Sequence, residues 1–285
     1  MSARPAPSLT PSALRDLAAR HGIRPRRSLG QHFLIEPALA RRIAALADVG
    51  PGSRAVEVGA GLGSLTVALA ATGADVLAVE IDPVLLPALE EAVAGASNVR
   101  VVRTDAMAAD WPSLLDGPGP WAMVANLPYN VATPVVVRAL EQEPRITRFL
   151  VMVQREVGER LAAAPGSPAF GGVSLRVAYF ARARVIRRVA RSVFWPQPNV
   201  DSVLVSLERR LPPVATDRDR LFGLIRVAFG ERRKTMRNAL VRFGLTPAAA
   251  AEVLASCGLD PSARPETLGL EAFACLVEAA QEAPP

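Results

Sequence analysis

Two cysteines, two histidines and one lysine stand in a chain of 285 residues, and each scarcity excludes something. Cys257 and Cys275 lie 18 positions apart with no CxxC pair, so neither a disulfide framework nor a thiol-rich zinc centre is expected; both read as buried apolar residues, and no metal site is foreseen. His21 and His32 are the only imidazoles available for acid–base chemistry. No run of about 18 uncharged apolar residues occurs. Met1 to Thr10 carries proline and serine where a signal peptide needs an apolar core, so a cytoplasmic protein with no membrane association is expected. What remains is an ordinary globular composition, 50% apolar and 21% charged. A chain this long can build a full core, as one large domain or as a large one beside a small one.

The net charge of +6 is unevenly spread. Residues 182–242 carry +10 and residues 1–48 carry +5, whereas residues 49–181 carry −4 and residues 243–285 carry −5. Clustered cations gain affinity for a polyanion by releasing its condensed counterions, so two basic segments flanking an acidic centre point to nucleic acid. Base composition accounts for arginine replacing lysine, Lys234 being the sole lysine, but not for the clustering.

Residues 1–11, rich in proline, serine and alanine, read as disordered, and Ser12 to Arg20 has helical spacing. Apolar runs of strand length follow at Ala55–Val58, Asp75–Ile81, Val99–Arg103, Trp121–Ala125 and Phe149–Val153. They alternate with helical patterns at Leu39–Ala47, Ser64–Ala71, Pro83–Ala94 and Pro134–Glu141. Such alternation predicts a parallel, doubly wound α/β sheet. Ala183–Val189 and the alternating Ser202–Leu207 would complete it, and the chain after Val214 reads as helices alone. The expected organisation is an extension over residues 1–22, an α/β domain over 23–210 and a helical domain over 211–285.

Glu57-Val58-Gly59-Ala60-Gly61-Leu62-Gly63-Ser64 closes the first strand. Glycines here let backbone approach a ligand, and the following helix offers free N–H groups. The spacing departs from the dinucleotide fingerprint, and Glu57 would repel a pyrophosphate; it suits a cation such as the sulfonium and amino groups of S-adenosylmethionine. Glu80, 21 positions after Gly59 at the end of the second strand, can accept ribose hydroxyls, as an acid also does in NAD enzymes. Asp105 can accept from an adenine amine or serve as a loop cap.

Asn126-Leu127-Pro128-Tyr129-Asn130 follows the fourth strand. Methylating an exocyclic amine requires acceptors that hold its protons while charge develops on nitrogen. The Asn126 oxygen and the Leu127 carbonyl, stiffened by Pro128, suit that task, and the Tyr129 ring offers a stacking face for an extruded base. In the carboxyl-terminal part, Ile225, Phe229, Met236, Leu240 and Phe243 form an apolar stripe along a basic helix, with Arg226, Arg233 and Arg237 on a neighbouring face for RNA phosphates or for solvent.

Taken together, these strings resemble the ribosomal RNA adenine dimethyltransferases, most closely the bacterial KsgA-type enzymes. The resemblance runs from about Arg24 to Phe273. It includes Leu29-Gly30-Gln31-His32-Phe33-Leu34, Gln154-Arg155-Glu156-Val157, Phe194 to Ser202, and Arg232-Arg233-Lys234-Thr235-Met236-Arg237-Asn238. It implies a Rossmann-like class I methyltransferase domain with a small carboxyl-terminal helical domain. The implied cofactor is S-adenosylmethionine, held by His32, Leu34, Glu57, Gly59, Gly61, Glu80, Asp105 and Asn126. It further implies Asn126 and Leu127 on the target amine and Tyr129 and Phe194 around the adenine. Arg226, Arg232, Arg233, Lys234 and Arg237 would bind RNA. His32 stands where the family commonly has asparagine. The implied activity is dimethylation of two adjacent adenosines near the 3′ end of 16S rRNA in the small subunit, by a monomer. The rivals are an erythromycin-resistance type enzyme acting on 23S rRNA, a ribosome-assembly factor without catalysis, and an NAD-dependent oxidoreductase.

Overall fold

The computed structural model describes residues 9–26, 30–231 and 234–282. Along the chain come α1 (Pro11–Arg20), β1 (Phe33–Leu34), α2 (Pro37–Leu46), β2 (Arg54–Val58), α3 (Ser64–Ala70), β3 (Asp75–Glu80), α4 (Leu86–Val93), β4 (Val99–Arg103), α5 (Trp111–Leu114), β5 (Trp121–Asn126) and α6 (Ala132–Gln142). Then follow β6 (Ile146–Gln154), α7 (Arg155–Leu161), α8 (Gly172–Phe180), β7 (Ala181–Val189), β8 (Phe194–Trp195) and β9 (Ser202–Arg209). Four helices close the chain: α9 (Arg218–Gly230), α10 (Met236–Arg242), α11 (Pro247–Ser256) and α12 (Leu270–Glu282).

Seven strands form one sheet in the order β4-β3-β2-β5-β6-β9-β7. The first five are parallel, and β9 runs antiparallel to β6. The parallel strands read as unbroken apolar runs because helices cover both faces. The alternation expected of β9 is not what burial shows: Val203, Leu204, Val205 and Leu207 are all buried, so this strand too is covered on both sides. Helix starts follow capping chemistry. Thr10 and Thr246 each accept an N–H three residues on, with Pro11 and Pro247 opening α1 and α11.

Two compact units result, one of residues 1–158 with 184–209, the other of residues 159–183 with 210–285. The boundary expected near residue 210 is therefore only part of the division. Residues 159–183 join the helical unit because Tyr179 and Phe180 meet Phe222 edge-on and Phe170 meets Phe229. Nor is the amino-terminal segment a mere extension. In α1, Leu14, Leu17 and Ala18 are buried against Phe33, Leu62 and Leu85 of the first unit. Residues 1–8, expected to be disordered, lie outside the described residues.

Two further expectations are corrected. The stripe from Ile225 to Phe243 is not one helix: α9 ends at Gly230, α10 begins at Met236, and the Met236 N–H donates to Ala263 O at 2.8 Å instead of to a preceding turn. The stripe is still interior, with Ile225, Met236 and Leu240 fully buried. Cys257, which caps α11, and Cys275 in α12 are half-buried and joined in a disulfide, with Cα atoms 5.9 Å apart. Helix packing within the helical unit decides this proximity, which a separation of 18 residues does not disclose.

Gly158 of α7 lies against β9, where an added Cβ would sit 2.2 Å from Val203 Cγ2 and 2.9 Å from Val205 Cγ2. Gly158→Ala is expected to destabilise the protein by about 1–3 kcal/mol through overpacking. Thermal or urea unfolding of the purified variant measures it, and an unchanged midpoint would show that α7 can shift.

Candidate active site

On one side of the sheet the order runs outward from β2 to β3 and β4, on the other from β5 to β6. Between β2 and β5 the winding reverses, so the loops leaving their carboxyl ends splay apart and open a crevice. One loop is Gly59–Gly63, the other Leu127–Asn130. They touch: a Cβ on Gly59 would stand 3.0 Å from Pro128 Cδ, and Gly59 has φ +74°. Gly61, at φ +60°, would likewise push a Cβ to 3.0 Å from Phe33. These positions exclude side chains both by conformation and by space.

The crevice encloses a cavity of about 250 Å³. It is lined by His32, Leu34, Glu57, Gly59, Gly61, Glu80, Asp105, Asn126, Leu127, Pro128 and Tyr129 among others. All the expected cofactor residues thus meet around one space.

Two of them are buried acids. Glu57 is 1% exposed and accepts a 2.6 Å hydrogen bond from Thr66 Oγ1. Burial pushes its pKa up to about 8, only partly offset by the Thr66 bond and reinforced by the charge of Glu80. Glu80 is also raised by burial, against three backbone donors: Gly61 N at 2.8 Å, and Ile81 N and Asp82 N at 2.9 Å each. These donors orient the carboxylate before any ligand arrives. Asp105 is exposed just past β4, and its Oδ1 accepts from Met107 N at 2.8 Å.

Asn126 ends β5, and its Nδ2 donates to the His32 carbonyl at 3.0 Å. This fixes the amide, so Oδ1 is its remaining acceptor. The Leu127 N–H is spent on Met152 O at 3.1 Å, which extends the β5–β6 ladder one residue beyond Asn126. Tyr129 is held by a 2.7 Å contact between its hydroxyl and Ser202 Oγ. His32 Nδ1 donates to Pro196 O at 2.6 Å, and its ring stands 5.1 Å from that of Tyr129. His32 is therefore a fixed wall element of the cavity, not a free loop side chain.

Phe194 is the residue that does not join the others. It is 2% exposed, pairs with Leu34 across the two-stranded β1–β8 sheet, and belongs to the core around Ala40, Ile43 and Val189. It is absent from the linings of the cavity around Asn126 and of the neighbouring one, whereas Tyr129 lines both. In the helical unit Arg226, Lys234 and Arg237 are exposed, and Arg237 Nη2 donates to Pro247 O at 3.1 Å. Arg232 and Arg233 lie outside the described residues.

Sequence reasoning missed Asp82, which is 5% exposed and lines the same cavity. Burial opposes its charge, but hydrogen bonds from Arg26, Val84 and Gln31 outweigh that and hold its pKa below the ordinary value. The clasp ties the amino-terminal segment to the end of β3. Gln31 belongs to the Leu29–Leu34 string, yet nothing in its spacing announces Asp82 as its partner.

The family model described as Ribosomal RNA adenine dimethylase matches residues 22–281. A ribosomal RNA small subunit methyltransferase A from Thermobifida fusca is 49% identical over 276 residues, covering 95% of each chain. The protein of that name from Streptomyces griseus is 46% identical, covering 97% of each chain. Among solved structures, the 23S rRNA methyltransferase ErmE is similar at TM-score 0.67 and 26% identity, covering 87% of this chain and 99% of its own. A dimethyladenosine transferase from Plasmodium falciparum shares the fold at TM-score 0.74 and 22% identity, covering 88% of this chain and 98% of its own.

Glu57 yields a prediction about pH. Its folded pKa of about 8 exceeds the unfolded value of 4.5, so the folded state holds a proton that the unfolded state releases. Stability falls as pH rises from 4.5 to about 8, by roughly 1.4 kcal/mol per pH unit at most. Glu57→Gln removes that dependence, so melting temperatures of variant minus parent should climb by several degrees between pH 5 and pH 8. A constant difference across that range would show that Glu57 is ionised in the fold.

Proposed function

The chain belongs to the ribosomal RNA adenine dimethylase family, and from that premise we propose which atoms do the work and on which RNA. It is an rRNA adenine dimethyltransferase. It transfers methyl groups to the N6 amines of two adjacent adenosines near the 3′ end of 16S rRNA in the small subunit, as a cytoplasmic monomer serving subunit biogenesis. Identities of 43–49% to small-subunit enzymes over nearly the whole chain favour this target over 23S rRNA, whose enzyme is 26% identical.

The crevice fits S-adenosylmethionine. Gly59 and Gly61 keep its floor free of Cβ atoms. Glu57 and Glu80 are acids whose burial costs free energy until a cation or hydroxyl donors arrive. Ser64 Oγ, on the cavity wall, is buried without a hydrogen-bond partner among the described residues. Glu80 would accept from the ribose, Asp105 from the adenine amine, and Glu57 would answer the positive charge. When bound, the cofactor supplies an electrophilic methyl on a sulfonium.

The single observation that carries the reading is the anchored amide of Asn126. With Nδ2 tied to His32 O, Oδ1 serves as a preorganised acceptor for a target amine, and the Leu127 carbonyl, followed by Pro128, supplies a second. As nitrogen develops positive charge, its N–H bonds become stronger donors, so both acceptors stabilise the transition state more than the ground state. Tyr129, braced by Ser202, gives the extruded base a stacking face worth about 1–3 kcal/mol. The methylated amine is acidic enough to lose its proton without a strong base.

Labelled methyl transfer to small subunits lacking the modification, with large subunits in parallel and nucleoside analysis of the product, tests this. Dimethyladenosine is expected in the small subunit alone. Asn126→Ala should lower transfer by at least about a hundredfold, the scale of losing one preorganised donor or acceptor, while the lost bond to His32 O lowers stability by only about 1 kcal/mol. Label in 23S rRNA, or transfer by the variant near the parent rate, would overturn the assignment.

A further inference from the structure

A second cavity, of about 530 Å³, adjoins the first and shares Gly30, His32, Tyr129 and Asn130 with it. Its outer wall includes Gln154, Gln197 and Asn199. The carboxamides of Gln154, Gln197 and Asn199 make no hydrogen bond to another described residue, so the residues lining this cavity include three side chains with unused donors and acceptors. Arg191 ties this wall to the sheet edge: its Nη1 donates to Asn199 O at 3.3 Å and its backbone N–H to Asp201 Oδ1 at 3.1 Å.

Arg191 lies two residues beyond β7, the edge strand of the large sheet. An edge strand has one unpaired row of backbone groups, and here Arg184, Val185, Ile186, Arg187 and Arg188 are all exposed. Their charges are not equivalent. Arg184 is neutralised by Glu208 at 2.9 Å. Arg187 and Arg188 have no acidic partner among the described residues. Arginines on an edge also discourage strand-to-strand aggregation, and Arg182 near the amino end of β7 is likewise exposed without an acidic partner among the described residues; Arg187 and Arg188 are the adjacent pair on the side of the chain that leads to Arg191 and the cavity wall.

We propose that Arg187 and Arg188, consecutive residues at the carboxyl end of β7 whose side chains leave opposite faces of the edge strand, form a basic ridge along the sheet edge that binds the phosphates flanking the target adenosine and carries the RNA strand past the amide-lined cavity. This rests on the reading that the substrate is rRNA. An adenine extruded from its stack drags its own backbone towards the enzyme, and cations beside the entrance hold that backbone without reading its sequence. Ridge and cavity both lie wholly on the methyltransferase unit.

The test compares Arg187→Gln/Arg188→Gln with the parent on small subunits lacking the modification, between 50 and about 200 mM salt. The slope of log affinity against log salt should drop by about 0.7–0.9 for each phosphate that is no longer neutralised. KM for subunits should rise about tenfold, with kcat, S-adenosylmethionine affinity and melting temperature unchanged. Arg187→Lys/Arg188→Lys should restore the slope. Arg184→Gln, whose charge is already neutralised, should leave it alone. If the double variant aggregates, each single Gln variant, which keeps one cation on the edge, should show half the drop. An unchanged slope in the Gln variants, or an equal drop with Arg184→Gln, overturns the ridge. Absence of methylation by the parent itself would instead overturn the substrate reading.

Discussion

The structure depends on one close approach, that of the loop after β2 to the loop after β5. Gly59, at φ +74°, meets Pro128 so closely that an added Cβ would stand 3.0 Å from its Cδ, and the groups around the cavity are placed relative to that contact. It exists because the sheet reverses its winding between these two strands. Parallel strands end on the same edge, so the reversal brings a glycine loop and an Asn-Leu-Pro-Tyr loop face to face at the carboxyl edge. The amino-terminal segment then closes the third side through β1 and β8, and through the bond from Asn126 to the His32 carbonyl.

Around that contact the protein holds acidic side chains where a folded chain would ordinarily avoid them. Glu57 and Glu80 lie behind the glycine loop almost without solvent, and each is shifted towards its neutral form by burial. Nearby Asp82 goes the other way, because Arg26 and Gln31 provide what water would have given it. The contrast sorts the acids by role. Asp82, satisfied inside the protein, fastens the amino-terminal segment, whereas Glu57 and Glu80 gain most from a ligand that brings donors or positive charge. Phe194 tells a related story. Its ring is buried in the core beside Ile43 and Val189, whereas the ring 5.1 Å from Tyr129 is that of His32.

Much of this was legible in one dimension. Strand cores such as Val99–Arg103, the Gly59–Gly63 turn and the order of helices follow from period, glycine placement and capping residues, which act over a few positions. Less legible were features that need two distant segments to meet. The alternation in Ser202–Leu207 marked a strand of the sheet, yet Leu204, between the alternating positions, is buried as fully as Val203 and Val205. Even spacing from Ile225 to Phe243 suggested one helix, yet Met236 gives its N–H to Ala263. The two cysteines looked solitary until α11 and α12 packed.

The amino-acid sequence by itself determined the strands and helices, the glycine loop with its acid, the Asn126 string and hence the family, because these depend on local backbone preference and on contiguous residues. Only the tertiary structure decided that Asn126 is pinned through His32, that Asp82 clasps Arg26 and Gln31, that Phe194 is core, and that Gln154, Gln197 and Asn199 line one cavity. Burial, pKa and partnership are properties of what lies across space from a residue, and chain neighbours do not specify them.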